Sequence, residues 1–248
     1  MKFFPSLWTL VSIMSKHSSI LPPSEETSQI LQRYNFTQAH NLVYNYEELK
    51  EIGIEPEFLL ALLDVFEDRQ SFRPQKFQHF SLTVIVDYLR KTHSYYLNKK
   101  LLEIEQSIHL LVKAYPHAHP LLLLLRNFYT DYKSHLVKHI ETEERELLPY
   151  ILQLALVEKG EEVKIVPSAI TVLQFVNQHH DTERELEEVR NAILHYSPPA
   201  GNQTLYRILL SQLQVLEKDL AVHALMEDEV LLPRALELEK KVGNSMLR

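Results

Sequence analysis

The chain has 248 residues, enough for one large domain or for one domain with a small companion. Hydrophobic residues make up 45% of it and Gly only 4 positions, which favours packed helices over a turn-rich β fold. A net charge of −7 argues against general nucleic-acid binding, and the lack of Cys excludes disulfides, thiolate metal sites and a cysteine nucleophile.

Residues 1–13 (MKFFPSLWTLVSI) are apolar with a single Lys. The stretch is too short to span a bilayer, contains Pro5 and lacks a small-residue cleavage site. A start at Met14 is favoured over a signal peptide, residues 1–23 are expected to be a disordered or misassigned extension, and the cytoplasm is the expected location. A small helical module is expected over 24–74, with helices near 27–34, 39–50 and 55–68. The last has Pro56 in its first turn and an apolar stripe of Phe58, Leu59, Leu62, Leu63 and Phe66, which reads as packing. Arg73-Pro74 reads as a linker.

Ser81 is placed to cap the next helix, which runs through Val84, Ile85, Tyr88, Leu89 and His93 toward 114, where Tyr115-Pro-His-Ala-His-Pro120 interrupts it. A helix over 121–156 carries His139 and Glu143, and Glu158-Lys-Gly-Glu-Glu is a turn. A helix over 168–194 carries His180, Ser197-Pro-Pro-Ala-Gly201 is a loop, and a helix over 204–240 carries His223 and Glu227. The pattern predicts an all-α chain, with an up-down-up-down four-helix bundle over 77–240 after the small module.

Two segments in this bundle share a frame. His139-Ile-Glu-Thr-Glu143-Glu-Arg-Glu-Leu-Leu-Pro149 and His223-Ala-Leu-Met-Glu227-Asp-Glu-Val-Leu-Leu-Pro233 each set a Glu four residues after a His. On a helix that spacing puts both side chains on one face, with Cβ atoms about 5–6 Å apart. One such pair is commonly a solvated contact, and His179 with Glu183 makes a third without the Leu-Leu-Pro. The two full copies lie 84 residues apart, and the lone His93 and His180 on the preceding helices lie 87 apart. Each half is thus a helix with a lone His followed by a helix with His-x3-Glu. Folding the halves together aims four His and two Glu at one point. Nitrogen and oxygen donors suit iron, manganese or zinc, and two cations need anionic ligands between them, the bridging part that Glu143 and Glu227 can play. A ferritin-type site would need Glu-x-x-His instead. Glu144 and Asp228, next to the paired acids, read as solvated, and His135 is left out of the site.

These residues together resemble hemerythrin-like (HHE) domains, and within them the repair-of-iron-centres family, over roughly residues 77–238. The resemblance implies a non-haem di-iron centre with Glu143 and Glu227 bridging two iron ions and His93, His139, His180 and His223 as terminal ligands. The family has a further His near the end of the first bundle helix. His119 is taken for it here, with His117 and Tyr115 left open as alternatives. Ile30-Leu-Gln-Arg-Tyr34-Asn-Phe resembles the start of the family's N-terminal domain, but Ala39-His40 stands where that domain has a cysteine pair. Thiol-dependent sulfur handling is therefore not expected, and His40 reads as a surface residue.

The function implied is repair of iron–sulfur clusters damaged by NO or oxidants, through iron or NO handled at the di-iron centre. The alternatives are a reversible O2 or NO binder or sensor, and a helical interaction protein with a degenerate site. The expected partners are a small ligand such as NO or O2, iron–sulfur proteins and a second copy of the chain, with no nucleic acid and no membrane.

Overall fold

The computed structural model describes residues 20–21, 24–36, 44–114, 120–161, 171–178, 191 and 203–246. The described elements are helical except for β1 (Ile20–Leu21) and β2 (Tyr44–Asn45), two short strands paired antiparallel. The fold is all-α, as composition and periodicity predict. The chain separates into two compact units, Met1–Phe80 and Ser81–Arg248.

In the first unit, α1 (Glu25–Arg33) starts at Ser24, whose hydroxyl accepts the Thr27 N–H at 3.0 Å. The second helix was expected from residue 39, yet α2 (Tyr46–Glu51) begins after extended residues 44–45. Asn45 caps it, accepting the Glu47 N–H at 3.2 Å, a role in which Asn is more stable than in a helix interior. Residues 39–43, His40 included, lie outside the described residues. Gly53 ends this turn at φ 82°, a left-handed conformation that costs glycine little. The predicted stripe of α3 (Pro56–Glu67) is buried throughout. The expected linker at Arg73-Pro74 leads instead into a 3-10 turn (Pro74–Lys76), followed by fully buried Phe77, edge-on to Phe58 at 6.0 Å between ring centres.

Among the described residues, the second unit holds three long rods. The first joins α4 (Leu82–Tyr95) to α5 (Leu101–Ala114), and Ser81 caps it as predicted, accepting the Val84 N–H at 3.3 Å. The second joins α6 (Pro120–Thr142) to α7 (Leu148–Glu158), and the third α9 (Gln203–Met226) to α10 (Leu232–Met246). Between them comes α8 (Val172–Gln178). It starts later than the expected 168, because Thr171 and Gln174 exchange bonds there: the Thr171 hydroxyl accepts the Gln174 N–H at 3.1 Å, and the Gln174 side chain accepts the Thr171 N–H at 2.9 Å. α5 packs on α6 and α4 on α7, so the first two rods run antiparallel. α9 packs on α5, while α10 lies against α7 and α8.

Leu209, Leu213, Leu216 and Leu220 recur at helical spacing along α9 and are all buried. Each contributes roughly 1.5–3 kcal/mol, and all four belong to one core cluster, with Leu220 also lining the site described below. Among the described residues no helix is long and apolar enough to cross a membrane.

Each rod is interrupted by one π turn, at Tyr96–Lys100, Glu143–Leu147 and Glu227–Leu231. The last two sit just before Pro149 and Pro233. A proline has no N–H for the carbonyl four residues back, and its ring crowds that carbonyl. Widening the preceding turn, so that the Leu148 and Leu232 N–H groups reach back to the Glu143 and Glu227 carbonyls, accommodates the conflict. The first rod has its π turn without a proline. There the Leu101 N–H reaches back to the Tyr96 carbonyl, and the Leu101 carbonyl accepts the Tyr129 hydroxyl at 2.7 Å.

Candidate metal centre

The π turns mark the level of the site. Glu143 and Glu227 are the first residues of their π turns, His139 and His223 lie one turn earlier on the same rods, and His93 lies near the end of α4. The His139 Nε2 stands 2.8 Å from one Glu143 oxygen, and the His93 Nε2 stands 3.1 Å from the other. The His93 and His223 Nε2 atoms are 2.9 Å apart, and the His223 Nδ1 is 3.8 Å from a Glu227 oxygen. His93, Glu143 and Glu227 are fully buried, and His223 nearly so.

The donor atoms form two sets, His93 with Glu143 and His223, and His139 with Glu143 and Glu227, each lying within 4.8 Å. Glu143 belongs to both. Beside them is a cavity of about 20 Å³, room for about one water-sized molecule. The histidines, Glu227 and Tyr96 line it, and Leu136, Ile140 and Leu220 form its apolar wall.

All four oxygens of Glu143 and Glu227 are buried without an aligned hydrogen-bond donor. The short approaches of His93 and His139 to Glu143 are therefore charge contacts, off the geometry of an N–H···O bond. Burial pushes the Glu143 carboxyl up, but His139 and His93 beside it prevail and hold it well below the usual carboxylate range. Burial, the Glu143 charge and Asp228 push Glu227 the other way, well above that range. On His93, burial opposes the charged form, but Glu143 and Glu144 outweigh it and raise the imidazole to about 9. Without metal, these surroundings favour the ionised form of Glu143, the protonated form of Glu227 and the charged form of His93. Buried oxygens lacking donors are costly, and oxygen and imidazole donors on one centre fit first-row cations such as iron, manganese or zinc. The residues present fit a metal pair.

Of the residues picked from the sequence, His93, His139, Glu143, His223 and Glu227 come together. His119, its alternatives His117 and Tyr115, and His180 lie outside the described residues. His135 is exposed and stands apart from the donor sets.

Glu144 is a correction. Read from the sequence as solvated, it places one oxygen 2.7 Å from the His93 Nδ1 and the other 3.3 Å from the Arg90 Nε. The signal available was the second acid that both repeats carry, Glu144 and Asp228. Tyr96 and Asp219 had no such signal. Both are buried, and the Tyr96 hydroxyl donates to an Asp219 oxygen at 3.0 Å beside the cavity.

No family model matches the chain. It is 22% identical over 147 residues to the iron–sulfur cluster repair protein ScdA of Staphylococcus haemolyticus, covering 59% of this chain and 64% of that protein. ScdA of Staphylococcus epidermidis is 22% identical over 147 residues, with 63% of its length covered. The iron–sulfur cluster repair protein YtfE of Edwardsiella ictaluri is 32% identical over 104 residues, 42% of this chain and 43% of that one. The chain spans less than two thirds of the length of these curated relatives. Over its aligned part, it is similar to proteins that carry the name iron–sulfur cluster repair protein.

Proposed function

We propose that this chain is a cytoplasmic, hemerythrin-like di-iron protein of the repair-of-iron-centres type, which helps restore iron–sulfur clusters damaged by NO or oxidants. The observation that carries the metal reading is the pair of buried carboxylates, Glu143 and Glu227, whose four oxygens have no aligned donor although three imidazoles stand around them. The repair role is supported by the names of the relatives.

Glu143, common to both donor sets, would be shared by the two ions. Glu227 would be the second shared carboxylate, and His93, His139 and His223 would hold the ions from the outside. His180 and His119 complete the set by resemblance to the family. When bound, the di-iron pair supplies redox chemistry and an open position for a small ligand. The chain's own part is to hold that position beside a cavity with room for about one water-sized molecule, with Leu136, Ile140 and Leu220 excluding bulk water from one side. Lacking Cys, the chain can pass on iron or take up NO, but it cannot hold a cluster through thiolates or carry sulfur as a persulfide.

The same apolar wall also suits a reversible O2 or NO binder. Protein purified from iron-supplemented cells is expected to carry about two irons per chain with an oxo-bridged ferric absorption band, both lost in a Glu143→Ala/Glu227→Ala variant. The loaded protein, and not the variant, is then expected to reactivate an NO-damaged iron–sulfur enzyme. One zinc per chain, or no metal, would overturn the di-iron reading. Intact iron with reversible O2 binding and no reactivation would favour the gas-binding reading.

A further inference from the structure

We propose that Glu144 is a positioning residue, fixing the His93 imidazole with its proton on Nδ1 and its Nε2 lone pair facing the metal site. The inference rests on the metal-site reading above. His93 is fully buried and its two ring nitrogens meet different surroundings. Nδ1 lies 2.7 Å from a Glu144 oxygen, a length suited to a charge-assisted bond. On the other edge of the ring, Nε2 faces the Glu143 oxygen at 3.1 Å and the His223 Nε2 at 2.9 Å.

An imidazole that ligates a cation is neutral and has one N–H to place. On Nε2, that proton can bond to the His223 Nε2, and it then occupies the lone pair a cation needs. On Nδ1, it bonds to Glu144 and leaves Nε2 free to ligate. A carboxylate behind a metal-ligating His fixes the tautomer and raises the basicity of the ligating nitrogen.

Glu144 is itself held. Its second oxygen is in charge contact with Arg90, which precedes His93 on α4, so one carboxylate spans two residues of the facing rod. A plain surface ion pair between Arg90 and Glu144 would be worth little and would not require the contact to the buried ring. The repeat sets Asp228 after Glu227 as it sets Glu144 after Glu143.

The test is zinc binding, by competition with a chelator, to the full chain as wild type, Glu144→Ala, Glu144→Gln and Glu143→Ala/Glu227→Ala. NMR of the zinc-loaded, 15N-His-labelled protein accompanies it. Zinc is diamagnetic and accepts the same donors. Glu144→Ala is expected to bind zinc about 10- to 100-fold more weakly. Glu144→Gln, which keeps an oxygen to accept the Nδ1–H, recovers most of that loss. The His93 Nδ1 proton exchanges slowly with water in wild type and Glu144→Gln, and rapidly in Glu144→Ala.

Equal affinity in wild type and Glu144→Ala, with zinc lost only in the double variant, would overturn the positioning role and leave the metal site standing. So would a Glu144→Gln protein as weak as Glu144→Ala. Wild type that takes up no zinc or iron would overturn the metal site, and this inference with it.

Discussion

Two isosteric substitutions at the metal centre should act in opposite ways on the metal-free protein. In that state Glu143 is the carboxylate that balances the charged His93, whereas Glu227 is held protonated by burial and by the Glu143 charge. Glu143→Gln removes one partner of a buried ion pair. Such a loss costs about 3–5 kcal/mol, and the lower end applies because Glu144 still accepts the His93 Nδ1–H. For a domain of this size about 3 kcal/mol lowers the melting temperature by roughly 6–12 °C. Glu227→Gln replaces a protonated carboxyl with an amide of the same shape, so the change should stay within about 1 kcal/mol either way. Thermal unfolding of chelator-stripped protein at pH 7 reads both, and metal analysis should show both variants losing metal. Equal destabilisation by the two substitutions, or a larger loss from Glu227→Gln, would refute the assignment of charges.

Metal-free protein should lose stability as the pH rises from 6.5 to about 9. His93 is raised to about 9 in the folded state, so its contribution is whole below its ordinary value of 6.5 and gone above 9. Zinc-loaded protein, its His93 Nε2 taken by metal, should be flat across that window, and parallel melting profiles would count against the site. Loading the wild type with iron or zinc should raise its melting temperature by mass action; equal values with and without metal would mean that the buried carboxylates are stabilised by something else. Tyr96→Phe removes a donor to the buried Asp219 carboxylate and should cost about 1–3 kcal/mol in chemical unfolding while metal content stays the same. Pro149→Ala with Pro233→Ala should weaken zinc binding while leaving the metal-free protein as stable or more so, because alanine restores two helix N–H groups; unchanged affinity would separate the prolines from the site.

Much of the helical arrangement and five of the candidate ligands were legible because one period governs both. His-x3-Glu marks a helix face, and that face must point inward for Glu143 and Glu227 to meet His93, His139 and His223. The leucines at helical spacing told the same story about the core. What was not legible depended on contacts between rods. Glu144 looks solvated from its own helix, and only the approach of α4 brings the His93 Nδ1 to 2.7 Å from it. Asp219, beside Lys218 in sequence, looks like a surface acid until the Tyr96 hydroxyl is found against it. The start of α2 was missed for a local reason, since Asn45 acts as a cap rather than as a helical residue.

The Leu-Leu-Pro that closes both repeats is best understood as part of the site. Had these segments stayed regular α-helix, Pro149 and Pro233 would leave a carbonyl unpaired on each rod and crowd it with a ring. Their π turns open at Glu143 and Glu227, so the widened turns begin at the two residues whose carboxylates face the centre. The first rod widens at Tyr96, which lines the same cavity and follows His93 by less than one turn, although no proline is present to impose it. All three described rods therefore depart from α geometry where they face the donor cluster. A mechanical demand by proline explains two of these departures, and the third points to the site as their common cause. Side chains in a regular helix at close-packed spacing leave little room among four buried oxygens and three imidazoles. An extra residue in each turn re-aims them and opens the space that cations would fill.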